Sequence, residues 1–154
     1  MHRRREPKLS LLERAVIEKQ WHSTTVTARI HTLIGNSSEG MVNAAGRVFF
    51  VVLGAAVAEH SDAEQVDIRI IRGAVNSVFD LAGQEDISDE RRASIDSGLR
   101  AAERLVPTFA RRSLTDSACE LELKLRGHHV HMSDFAAVLA NLAPQHATPT
   151  TGAR

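Results

Sequence analysis

Aromatic side chains are scarce, at 4% of the 154 residues, with no tyrosine and a single tryptophan. Base-stacking platforms for single-stranded nucleic acid are therefore few. A core must be built from Leu, Val, Ile and Ala around five phenylalanines, which suits close-packed helices. Cysteine occurs once, at Cys119, so no internal disulfide can form and nothing signals an oxidising compartment. Net charge is also missing. Nineteen basic residues stand against nineteen acidic ones, which removes the basic field of a DNA-coating protein and leaves any nucleic-acid contact local.

No apolar run reaches the roughly 20 residues of a bilayer span. The longest, VFFVVLGAAVA over 48–58, meets Arg47 on one side and Glu59 and His60 on the other. It reads as a buried central helix whose glycine and alanines admit close neighbours. The basic start MHRRREPK is followed by neither an apolar segment nor a small-residue cleavage site, so no secretory signal is read and the cytoplasm is the expected location. Catalytic signatures are lacking too: GxSxG, GxGxxG, GxxxxGKS, HExxH and CxxC do not occur. Cys119 has no base identifiable from sequence and is expected to be a small buried hydrophobe.

What the sequence does contain is helical periodicity. Leu9, Leu12, Val16, Lys19, Ser23, Val26, Ile30 and Leu33 are spaced 3, 4, 3, 4, 3, 4, 3, the seam of a long amphipathic helix or short coiled coil. Lys19 and Ser23 interrupt the stripe, and the threonines at 24, 25 and 27 lower helix propensity, so a kink or break is expected near Ser23. GNSSEG over 35–40 has the composition of a loop.

Beyond the central helix, Ser61 and Glu64 fit a capping box, and Ile68, Ile71, Val75, Val78 and Ala82 continue as a helical stripe toward Gly83. Ser88 is the expected cap of the next helix, with Asp89 and Glu90 in its first turn and Ile95, Leu99, Ala102 and Val106 on its buried side, before Pro107. The acidic start of this helix argues against a helix-turn-helix reader, because it would repel phosphate. Ser133 caps a last helix carrying Phe135, Val138, Leu139 and Leu142.

Residues 119–132 admit two readings. CELELKLR is rich in helix formers, yet Leu121, Leu123 and Leu125 alternate, and a turn at Gly127 and His128 would return Val130 and Met132 on the same face as a hairpin. In the hairpin, His129 and His131 would project beside Glu120 and Glu122, a donor set for Zn²⁺. In the helix, the His128 to Asp134 stretch is a polar turn.

The sequence thus predicts a mainly α fold: a single-domain bundle of five or six helices over 8–143, with a small hairpin near 119–132 as the open alternative. A basic arm would precede it over 1–7 and a disordered tail follow over 144–154. The expected function is non-enzymatic and cofactor-free, a regulatory or adaptor role through binding another protein or itself, with Leu9, Leu12, Val16, Val26, Ile30 and Leu33 as the partner face. Two alternatives stand beside it. Arg3, Arg4 and Arg5 could give a nucleic-acid-binding regulator of low affinity, and the histidine cluster a Zn²⁺-binding protein or enzyme.

Overall fold

The computed structural model describes residues 9–34, 38–80, 88–126 and 132–142. Among them are six α-helices and no strand: α1 (Leu11–Ile34), α2 (Ser38–Ala58), α3 (Val66–Asp80), α4 (Asp89–Leu105), α5 (Arg111–Lys124) and α6 (Met132–Asn141). The expected arm at 1–7 and tail at 144–154 lie outside the described residues.

Helix α2 is the hub, in contact with each of the other five. Its run from Val48 to Leu53 is buried without interruption, which follows from a helix apolar on every side: it can be satisfied only by neighbours all round. The helix begins at Ser38, so Ser38, Glu39 and Gly40 belong to it and not to the loop their composition suggests. It ends in a Schellman motif. The Ser61 N–H donates to the Ala56 carbonyl at 2.9 Å and the His60 N–H to that of Val57 at 3.1 Å, with His60 in the left-handed region at φ 55°, where glycine more often stands.

Helix α3 is started differently from the sequence expectation. Asp62 Oδ1 accepts from the Glu64 N–H at 2.9 Å in a local turn, and Gln65 Oε1 accepts from the Ile68 N–H at 3.0 Å. Gln65, not Ser61, therefore serves as the side-chain cap. Ile68, Ile71, Val75 and Val78 are buried as their spacing predicts; Ala82 and Gly83 lie outside the described residues. Helix α4 follows the sequence reading closely. The Ser88 hydroxyl accepts from the Arg91 N–H at 3.2 Å, Ile95, Leu99 and Ala102 are buried, and Pro107 sits in a short 3₁₀ turn, Val106–Thr108.

Helices α3 and α4 approach closely at Gly98. A Cβ there would lie 2.3 Å from the Ala74 Cβ and 2.8 Å from the Phe49 Cζ, so the absence of a side chain lets α4 settle onto both α3 and α2. Helix α6 closes the core with Phe135, whose ring meets those of Phe50 and Phe79 edge-to-face at centroid distances of 5.6 and 5.4 Å.

The hairpin reading of 119–132 is overturned as far as Arg126: Cys119 to Lys124 belong to α5, with Leu125 and Arg126 in the turn that ends it. Leu121 and Leu125 are buried, one helical turn apart, and Leu123 is half-buried. Local propensity and the i, i+4 burial of two leucines outweigh an alternation that spans only three of them. Residues 127–131 lie outside the described residues, and α6 starts at Met132, one position ahead of the expected cap.

Candidate interaction surface

Among its described side chains, helix α1 is docked on the body by one side. Trp21 and Ala28 are buried and Arg14 and Ile17 half-buried, whereas Leu12, Val16, Lys19 and Ser23 are exposed. Positions 14, 21 and 28 recur every seven residues, opposite the line 12, 16, 19, 23, so the seam seen in the sequence points away from the core along its described part. The helix is unbroken through Ser23, so the break allowed for there does not occur. The Thr25 hydroxyl donates to the Trp21 carbonyl at 3.1 Å, within the helix, so the hydroxyl residues are accommodated without a break.

A reciprocal capping box that the sequence reading missed fixes the start of α1. The Ser10 N–H donates to Glu13 Oε1 and the Glu13 N–H to the Ser10 hydroxyl, both at 3.1 Å. The signal is present in the sequence as Ser10-Leu11-Leu12-Glu13, the S-x-x-E pattern. These bonds to Ser10 hold the Glu13 carboxyl below its ordinary range. The first turn is thereby held in helical form even though it carries the two most exposed large apolar side chains of the described residues, Leu11 at 87% and Leu12 at 76%, with Val16 exposed one turn on; Val66 at the start of α3 is the other exposed one.

Ion pairs anchor the same end of α1 to α5. Arg14 pairs with Asp116, Glu18 with Arg111, and Glu13 with Arg126 at 3.5 Å. As α1 advances its partners on α5 recede, so the two helices run antiparallel. Leu9, Leu12, Glu13, Val16, Ile17, Glu122 and Arg126 line a groove of about 350 Å³ between them, apolar along its α1 side except for Glu13 and charged along its α5 side. Three of the six expected partner-face residues are thus brought together. The side chains of Val26, Ile30 and Leu33 lie outside the described residues.

Of the four proposed zinc donors, the two glutamates lie among the described residues. Glu120 and Glu122 are two positions apart on a helix, roughly 200° around its axis, and they diverge: Glu120 lies 4.0 Å from Lys124, while Glu122 pairs with Arg47 of α2 at 2.8 Å. The carboxylate pair of the hairpin scheme is therefore lost. His129 and His131 lie outside the described residues, as do Arg3, Arg4 and Arg5. Among the described residues no group of three or more His, Cys, Asp or Glu could hold a metal ion. Cys119 is buried, and that burial raises its thiol pKa, disfavouring the thiolate a nucleophile requires.

A second, polar notch of about 460 Å³ lies between α3 and α4, lined by Ser77, Ser88, Glu90, Arg91 and Ser94. The Ser77 and Ser94 hydroxyls there are bonded to each other at 2.8 Å. Among the described residues no helix is long and apolar enough to cross a membrane. No protein-family model matches the chain, and no curated protein or solved structure is significantly similar to it.

Proposed function

We propose that the chain is a cytoplasmic, non-enzymatic interaction protein with a regulatory or adaptor role, and that the outward stripe of α1 is its binding face. The observation that carries this reading is the exposure of Leu12 and Val16 on that stripe, with Leu11 exposed beside it, at the end of α1 that the Ser10–Glu13 box and the α5 ion pairs hold in place. Exposed apolar residues standing singly need no explanation. Three of them on consecutive turns of a fixed helix, beside a groove, form a preorganised surface, and preorganisation lowers the entropy cost of association. The 3, 4 spacing of the stripe further favours a helical partner, whose side chains repeat with the same period.

The reading is tested by affinity capture from the source cell with the wild type and a Leu12→Asp, Val16→Asp variant. Both replaced side chains are exposed, so the fold should survive. A protein, including a differently tagged second copy of this chain, that is retained by the wild type and lost from the variant supports the assignment. Capture of the same set by both would sink it.

A further inference from the structure

The residue types along the α1 seam follow a near-palindromic order. Written as heptads within α1, positions 16, 23 and 30 are a and positions 12, 19, 26 and 33 are d, while Arg14, Trp21 and Ala28 fall at f, on the opposite side. In an antiparallel helix pair, a positions of one helix face d positions of the other. A two-fold axis at the level of residue 21 therefore sets register position 12 against 30, 16 against 26 and 19 against 23. The first two pairs join positions that are apolar in the sequence, and the two polar positions meet each other. A parallel pair would instead set Lys19 against Lys19, like charge on like charge in the middle of the seam.

Resting on the reading of α1 as the binding face, we propose that its partner is a second copy of this chain, paired antiparallel through α1 about that axis. The fold is compatible with it. The f positions are turned to the body, with Trp21 and Ala28 buried and Arg14 half-buried, while Leu12, Val16, Lys19 and Ser23 are exposed. The two bodies then lie on the far sides of the helix pair and neither helix has to undock. The helix is already formed by its docking, which removes the nucleation cost that makes short isolated helices marginal. Such an isologous contact is self-complementary and closes at two copies.

The test uses the full chain in sedimentation equilibrium across a concentration series. The wild type should dimerise, and Val16→Asp should remain monomeric where the wild type is dimeric, with an unchanged circular dichroism melt. Ser23→Glu separates the orientations. In the antiparallel pair each new carboxylate faces Lys19 of the other copy, so the dissociation constant should fall by about two- to fourfold at low salt, from two exposed ion pairs, and return toward wild type at high salt. In a parallel pair the two carboxylates face each other and the dimer loosens. Oxidation should also link Lys19→Cys/Ser23→Cys chains covalently, while Lys19→Cys alone should not link. A dimer loosened by Ser23→Glu overturns the antiparallel arrangement. A wild type monomeric at every concentration overturns self-pairing altogether, while loss of some other captured protein from the Leu12→Asp, Val16→Asp variant would leave the binding-face reading standing.

Discussion

Glu59 and Ala110, fifty-one positions apart, are joined by a 2.6 Å hydrogen bond in which the Ala110 backbone N–H donates to Glu59 Oε1. The same oxygen accepts from the Ser113 hydroxyl at 3.1 Å. Ala110 is the residue before α5 and has no capping side chain of its own. Arg111 and Arg112 also place positive charge at the positive end of that helix dipole. A carboxylate delivered from the end of α2 supplies what the local sequence does not. Glu59→Ala should cost about 1 kcal/mol, the scale of a lost amino cap, and should speed amide exchange in the first turn of α5 above all. Uniform acceleration along the chain, or none, would show that the cap is not a local anchor.

Two glycines in neighbouring helices should respond to alanine in opposite directions. Gly73 is exposed in α3 and a Cβ there would meet nothing within 4 Å, so Gly73→Ala should stabilise by roughly 0.5–1 kcal/mol through backbone entropy. Gly98→Ala carries the same propensity gain but forces its methyl against Ala74 and Phe49, and overpacking of this kind costs about 1–3 kcal/mol. Urea midpoints should move up for the first and down for the second. A shift of the same sign in both would contradict the close approach of α3 and α4.

Phe135 is fully buried and touches rings on both α2 and α3. Truncation to alanine should destabilise by about 3–5 kcal/mol, the range for a phenylalanine removed from a core, with loss of protection throughout α6. Denaturant unfolding followed by hydrogen exchange gives both quantities. A cost under about 1 kcal/mol, comparable to a tolerated surface change, would mean that α6 is not part of the core.

The start of α1 should loosen in acid. Glu13, whose carboxyl is held low chiefly by the Ser10 N–H and hydroxyl and secondarily by Arg126, has a folded pKa below its unfolded value. Its contribution is therefore complete above the unfolded carboxylate value of about 4.3 and is lost as pH falls from there through the lower folded value. Exchange of the first-turn amides, corrected for intrinsic rate, should accelerate below that pH in the wild type and become insensitive to pH in Glu13→Gln. Identical profiles for the two proteins would remove the carboxylate from the account.

The helical class, the buried hub and the Ser88 cap were legible because each is a local or periodic signal. The start of α3 was not. Ser61 and Glu64 have the right letters, but Asp62 closes a turn on the Glu64 amide, and the cap falls four residues after Ser61, on Gln65, a less favoured cap type. The hairpin reading failed for a related reason. Alternation of Leu121, Leu123 and Leu125 is compatible with either structure, and only the position of Arg47 beside Glu122 and the burial of Leu121 and Leu125 decide for the helix. On the candidate surface, the spacing of Leu12 and Val16 was evident from the chain. That this line faces outward was not, because Trp21 and Ala28 compose a second stripe in the same helix, and which stripe docks depends on α2 and α5.

The ion pairs that hold α1 join residues 93, 102 and 113 positions apart. Helix α1 is synthesised early, but Arg111, Asp116 and Arg126 follow only after about a hundred more residues, roughly 5–20 s at ordinary elongation rates. The stripe that stays outside is open to solvent throughout that interval, and the docking stripe has α2, its neighbour in sequence, but not α5 to cover it. Contacts of such long sequence separation form late in folding, whereas α3 and α4 are neighbours in sequence and can pair without waiting. Pulse-labelled hydrogen exchange during refolding should accordingly protect the amides of α3 and α4 before those of the first turns of α1, the part of that helix whose anchors lie on α5 and its terminal turn.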